Sequence, residues 1–231
     1  LARIGAEVIP LDVGLDHSFP RYNPNPEDMK MLHALSDAVK QHHADVGLAF
    51  DGDGDRCGVV DDQGREIFAD KAAVLLARDI SSRQKGARFV VDVKSTGLFM
   101  TDPVLTANGV VTEYWKTGHS YIKRRVQDLN ALAGFEKSGH LFFRKPYGHG
   151  YDDGLVAAAA VLQMLDRNPG RSLSDLKSEL GQAWTSLTMS PHCDDEKKYG
   201  VVDQVVAQYE KLAAGGGKIL MLERGAFDGV H

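Results

Sequence analysis

The residues best equipped for chemistry sit in one short stretch, AFDGDGDRCGVV, where Asp51, Asp53 and Asp55 alternate with Gly52 and Gly54 and Arg56 follows directly. The apolar run Asp45–Phe50 reads as a buried strand that delivers these carboxylates to its end. The two glycines allow a turn tight enough for the three side chains to converge. Three carboxylates about 5 Å apart repel by about 3 kcal/mol per pair at an effective dielectric of about 20, and a hard divalent cation removes that cost. Oxygen ligation suits magnesium, and three protein ligands leave positions open for water and a phosphoryl oxygen. An EF-hand loop starting at Asp51 would need glycine at its sixth position and glutamate at its twelfth, where this sequence has Arg56 and Asp62. Arg56 keeps its charge at any accessible pH, so its fork is suited to clamp phosphate oxygens beside such a cation.

Three further segments, VVDVKSTG, YWKTGHS and GFEKSGH, share one form: a strand, then a polar turn. Turns at the carboxyl ends of α/β strands gather around ligands. The first offers Lys94, and the second offers Lys116 and His119, enough to meet a phosphate. The third places Glu136 and Ser138 two residues apart, with His140 behind Gly139. A carboxylate accepts two hydrogen bonds and a hydroxyl both donates and accepts, which suits vicinal sugar hydroxyls. Other polar pairs read as structural. His42-His43 close a helix, where its dipole favours them, and Asp152-Asp153 read as helix caps. Cys57 and Trp115 read as packing residues.

The elements that must position these turns alternate between short strands and amphipathic helices. Strands are expected at Glu7–Leu11, Asp45–Phe50, Cys57–Val60, Phe89–Val93, Val110–Trp115, Leu132–Phe135, Leu141–Phe143, Thr185–Met189 and Lys218–Leu222. Asn25, with Pro26 behind it, is expected to cap a helix through Val39, Asp70 one ending near Arg83, and Asp152 the alanine-rich helix to Arg167. Ser95 or Thr96 starts a helical stretch that Pro103 re-nucleates, Ser120–Leu129 forms a basic helix, and Ser172–Leu180 and Glu196–Ala213 form two more. The alternation predicts the α/β class, with mixed sheets sandwiched by helices in repeated domains. Natural boundaries divide the chain into residues 1–68, 69–182 and 183–231. The opening LARIGAEVIP and the closing FDGVH read as cut ends of a longer protein.

With 231 residues, 43% hydrophobic and 26% charged, the chain has enough apolar content for a sizeable core. A net charge of −5 argues against a general nucleic-acid binder. The longest apolar run, Leu155–Leu165, falls far short of the ~20 residues a membrane span needs. Two cysteines, Cys57 and Cys193, fit neither a disulfide framework nor a metal clip, which points to a reducing cytoplasm. The charge is uneven. Residues 1–72 carry seven Lys/Arg against fourteen Asp/Glu, whereas residues 116–145 carry seven against two. An acidic segment beside a basic one suits a cation on one side and a polyanionic small molecule on the other.

Taken together, AFDGDGDR, DVKSTG, WKTGHS and FEKSGH, in this order and spacing, closely resemble the bacterial phosphomannomutase/phosphoglucomutase branch of the α-D-phosphohexomutase family. The resemblance covers the chain from about Val8 to Gly181. It implies a four-domain parent in which residues 1–68 end the metal-binding domain 2, residues 69–182 form the sugar-binding domain 3, and residues 183–231 begin a phosphate-binding domain 4. The implied reaction interconverts hexose 1-phosphate and 6-phosphate, of mannose or glucose, through a phosphoserine and a hexose 1,6-bisphosphate. The family's Ser-His-Asn-Pro nucleophile motif does not occur in these residues, so a domain 1 is expected elsewhere and the chain alone is expected to be inactive. By the same resemblance, Asp51, Asp53 and Asp55 hold Mg²⁺, and Arg56 and Lys94 stabilise the transferring phosphoryl group. His119 sits near the phosphate or acts in proton transfer, Glu136 and Ser138 read the sugar's 3- and 4-hydroxyls, and His140 is a candidate acid/base beside them; Lys116, from its own turn, is a substrate-binding candidate. Two alternatives from other classes stand beside this one. They are a non-catalytic Mg-dependent sugar-phosphate-binding module, and a dehalogenase-like phosphotransferase with Asp51 as nucleophile.

Overall fold

The computed structural model describes residues 1–14, 16–184 and 192–216. The strands expected at Thr185–Met189 and Lys218–Leu222 lie outside the described residues. Strands β1 (Val46–Phe50), β2 (Cys57–Asp61) and β3 (Glu66–Ile67) form an antiparallel sheet in that order. The register pairs Phe50 with Cys57, which makes the acidic residues the loop of a β1–β2 hairpin. Helix α1 (Met29–His42) covers one face of this sheet, where Leu32, Leu35 and Val39 meet Val60. Their three- and four-residue spacing puts them on one stripe of the helix.

The second sheet is mixed, with order β5-β4-β6-β7. The central strand β4 (Arg88–Asp92) runs parallel to both β5 (Val111–Trp115) and β6 (Ala133–Phe135), and β7 (Leu141–Phe143) returns antiparallel to β6. The path from β4 to β5 passes through the short helices α3 (Leu98–Thr101) and α4 (Pro103–Ala107), and the path from β5 to β6 through α5 (His119–Asp128). These connections step in opposite directions along the sheet. With right-handed crossovers they must lie on opposite faces, and a crevice opens where the direction reverses. The core confirms it: Leu98, Phe99 and Leu105 pack with Phe89 and Val91, whereas Ile122 and Val126 of α5 pack with Val90 and Phe142.

Helices α2 (Ala69–Arg83) and α6 (Gly154–Asp166) form a layer shared by both sheets. Their apolar faces meet Phe135, Leu141 and Phe143 of the mixed sheet and Cys57, Val59 and Ile67 of the antiparallel one, in one continuous core. Each fully buried side chain of this size contributes about 1.5–3 kcal/mol. Beyond them lie α7 (Leu173–Ser178), closed by a Ser172–Asp175 capping box, and α8 (Lys198–Ala214), which buries no residue.

Four expectations are corrected. Glu7–Leu11 forms no strand: Val8, Ile9 and Leu11 are exposed, Pro10 has no N–H to donate, and no neighbouring edge pairs with the segment among the described residues. Asp28, not Asn25, caps α1 by accepting from the Lys30 amide, because residues 25–28 close a turn first. Asp70 lies inside the first turn of α2 rather than capping it, and its buried carboxylate accepts from the Thr96 amide at 2.9 Å. Asp153, not Asp152, caps α6, accepting from the amides of Leu155 and Val156.

Candidate active site

Because β4, β5 and β6 are parallel, the turns that follow them emerge at the same edge of the mixed sheet. The acidic hairpin loop reaches that edge from the other sheet. Gly54 adopts a φ of 78°, a left-handed turn that an L side chain resists, and the loop folds back on itself there. One oxygen of Asp51, one of Asp53 and one of Asp55 consequently lie within 4.8 Å of one another. The side chain of Asp51 is 2% exposed, and Arg56 is what makes that burial tolerable. The Arg56 amide donates to Asp51 Oδ1 at 3.1 Å and its Nε to Oδ2 at 2.5 Å. Its Nη1 donates to Asn25 Oδ1 at 3.1 Å. Burial would raise the Asp51 pKa, but the Arg56 bonds outweigh it and hold the carboxyl below its usual value. Asp55 goes the other way: burial, and repulsion from Asp51, Asp53 and Asp152, raise its pKa against the pull of His140. This strained set of oxygens fits a small divalent cation, which would neutralise Asp55 and share Asp51 with Arg56.

The acidic loop is stitched to the FEKSGH turn. Arg56 and His140 form an isolated antiparallel bridge, and the Cys57 amide donates to the Gly139 carbonyl at 3.4 Å. His140 Nε2 lies 3.4 Å from Asp55 Oδ1, and its Nδ1 lies 3.2 Å from Glu136 Oε2 and 3.0 Å from Ser138 Oγ. Burial alone would favour the neutral ring, yet Glu136 and Asp55 prevail and raise the His140 pKa. The loop is also pinned from α6. The Gly154 amide donates to the Gly54 carbonyl at 3.0 Å, and a Cβ on Gly154 would stand 2.7 Å from Gly54 O and 2.8 Å from Arg56 O.

The second and third turns join at buried Glu136, whose Oε1 accepts from the Gly118 amide at 2.7 Å. That bond seats the start of α5, and the His119 ring stacks on His140 with centroids 5.8 Å apart. Lys116 is turned aside, its Nζ 3.8 Å above the Tyr121 ring. Lys94 stands exposed beyond β4, where its charge acts on Asp92. The structure thus draws Asp51, Asp53, Asp55, Arg56, His119, Glu136, Ser138 and His140 into one cluster. Among the described residues, Lys94 and Lys116 border it without a hydrogen bond or ion pair to the others.

Three residues of the site were not given a site role from sequence, two of them, Asn25 and Asp152, having been read as helix caps. Asp92, fully buried at the end of β4, accepts from Ser95 Oγ at 2.5 Å, the Lys137 amide at 3.2 Å and Thr117 Oγ1 at 3.3 Å, and so ties together all three polar turns. Burial raises its pKa. The signal was an aspartate ending an apolar run in the DVKSTG segment. Asn25 holds Arg56, and Asp152 faces His119 and Lys123. A second acidic pair beside a cap was the only hint of Asp152.

Comparison with known proteins places this geometry. The family model for phosphoglucomutase/phosphomannomutase α/β/α domain II matches residues 1–64, and that for domain III matches residues 68–183. A phosphomannomutase/phosphoglucomutase from Pseudomonas putida is 36% identical over 200 residues, covering 87% of this chain and 42% of the relative. One from Pseudomonas syringae pv. tomato is 40% identical over 200 residues with the same coverage. A crystal structure of a phosphoglucomutase/phosphomannomutase family protein from Burkholderia thailandensis superposes with a TM-score of 0.73 at 36% identity, over 79% of this chain and 39% of that one. The chain therefore spans about 42% of the length of these curated relatives. No described helix is long and apolar enough to cross a membrane. With two domain models matched in succession along the chain and their polar turns meeting at one edge, the chain belongs to the phosphoglucomutase/phosphomannomutase family of α-D-phosphohexomutases.

Proposed function

We propose that these residues are the cation-holding and sugar-reading part of a cytoplasmic phosphohexomutase that interconverts the 1- and 6-phosphates of mannose, glucose or both. The observation that carries this reading is the bridge between Arg56 and His140, with Asp55 3.4 Å from His140. It holds the acidic loop beside the FEKSGH turn, which supports reading the first as phosphoryl-handling and the second as sugar-reading.

In this reading Asp51, Asp53 and Asp55 hold Mg²⁺. The cation, when bound, would offset charge on the phosphoryl oxygens. Arg56 is locked on Asp51 through Nε, which orients its guanidinium along the loop. Lys94 and Lys116 supply positive charge at the rim, placed to draw in a polyanionic sugar phosphate. Glu136 and Ser138 accept from and donate to vicinal hydroxyls, and His140, held between Glu136 and Asp55, is placed to move a proton at a hydroxyl beside the metal loop. The phosphoryl donor is assigned to a phosphoserine outside these residues, and the turnover passes through a hexose 1,6-bisphosphate. A dehalogenase-like role for Asp51 would need it to be an attacking nucleophile, whereas its pairing with Arg56 Nε at 2.5 Å favours a fixed anionic anchor shared with a cation.

The test is a two-dimensional NMR titration of the 231-residue chain with glucose 1,6-bisphosphate at saturating Mg²⁺. Shifts confined to the acidic loop and the three polar turns, lost in Glu136→Gln, are expected. Shifts scattered over the surface, or none at about 10 mM ligand, a concentration that detects even millimolar affinity, overturn the reading.

A further inference from the structure

The carboxylate of Asp152 faces the site and has so far been given no task in it. Its side chain is 9% exposed, and among the described residues its Oδ2 has no hydrogen-bond partner. The backbone of Asp152 is fixed by an antiparallel bridge to Phe142, just ahead of the Asp153 cap. Its Oδ1 accepts from Lys123 Nζ at 3.0 Å, and Lys123 in turn sits over the Phe142 ring. The unpartnered Oδ2 faces His119 Nδ1 at 3.6 Å, just beyond hydrogen-bond length. Asp55 and His140 complete the surroundings, each offering an atom within 4.8 Å of the Asp152 carboxylate. A cation could be drawn to Asp55, His140 and Asp152, but the ammonium of Lys123 already balances Asp152 from the far side.

We propose that Asp152 is a positioning residue for His119, its buried carboxylate holding the Nδ1–H tautomer of that imidazole so that Nε2 is left for the ligand. A buried acceptor without a donor is costly, and His119 Nδ1, which faces Oδ2, is the donor that removes the cost. Lys123 supplies the direction. It donates to one carboxylate oxygen and thereby turns the other toward His119. The neutral ring then presents Nε2 as an acceptor for a hydroxyl, and the protonated ring presents a donor to a phosphate oxygen without moving. The hydroxyl and phosphate named here rest on the phosphohexomutase reading, but the tautomer does not.

Histidine nitrogen shifts report the tautomer directly. In the ¹⁵N-labelled 231-residue chain, His119 is assigned by the signals that vanish in His119→Gln. Spectra are recorded at about pH 9, above the ordinary histidine range. Wild type is expected to show a dominant Nδ1–H form. In Asp152→Asn, Lys123 can only donate, so the amide oxygen faces Lys123 and the amide NH₂ faces His119. That makes Nδ1 an acceptor, and the tautomer ratio inverts to Nε2–H. Adding Lys123→Met to Asp152→Asn frees the amide to reverse, and the inversion weakens. An Nε2–H form in wild type overturns the proposal even if the variants fail to fold. A ratio unchanged in a folded Asp152→Asn overturns it as well, while leaving the mutase reading standing.

Discussion

Replacing Asp53 by asparagine isolates the cation site from the fold. Asp51 cannot serve, because its buried carboxylate anchors Arg56, whereas Asp53 is exposed and, among the described residues, has no hydrogen-bond or ion-pair partner outside the acidic trio. With the three oxygens within 4.8 Å, each pair costs about 3 kcal/mol at an effective dielectric of about 20. A cation supplied at about a hundred times its dissociation constant stabilises the folded state by about 2.7 kcal/mol. For a chain of this size each kcal/mol moves the melting point by about 2–4 °C, so Mg²⁺ is expected to raise it by about 5–10 °C. Asp53→Asn removes one anionic ligand. A roughly hundredfold loss of affinity at the same Mg²⁺ leaves only about 0.4 kcal/mol, a shift of about 1–2 °C. Without Mg²⁺ the variant is expected to melt at or slightly above wild type, because the repulsion on Asp55 is relieved. Circular dichroism melts of both chains, with NaCl at matched ionic strength as control, decide the matter. Equal Mg²⁺ shifts in the two chains, or the same shift from NaCl, would refute the reasoning.

Two further predictions use the supports of the site. Gly154→Ala places a methyl against the carbonyls of Gly54 and Arg56, and urea unfolding is expected to show a loss of about 1–3 kcal/mol together with a reduced Mg²⁺ shift. Asp92 has a folded pKa raised above its ordinary 3.8 by burial, so its contribution to stability is fullest below that value and is lost as pH rises through the raised one. The stability advantage of wild type over Asp92→Asn is therefore expected to shrink in urea midpoints as pH rises above about 4, and a constant or growing advantage would contradict the assignment.

What could be read from sequence follows from how local each signal is. Strand ends and polar turns were legible because apolar runs such as 46–50 and 89–91 stop at polar residues, and the turns then carry the chemistry. Which aspartate caps a helix was not. Asn25 and Asp28, or Asp152 and Asp153, offer the same side-chain acceptor within a few residues, and an Asx turn competes with the cap. The role of Asp92 depends on Thr117 and Lys137, distant in sequence, whose turns reach it only because β4 lies between β5 and β6. Glu7–Leu11 has strand-like composition, but a strand needs an edge to pair with, and composition does not reveal one.

The layer formed by α2 and α6 has a thermodynamic consequence. Both sheets lean on the same two helices, and Asp62 from the first sheet's turn accepts from the amide and hydroxyl of Ser174 at 2.8 and 2.9 Å, a second clasp between the halves. Neither half can shed the other without baring the core they share. The segment spanning both therefore behaves as a single cooperative body, and any opening and closing of a larger enzyme built around it must swing on joints elsewhere.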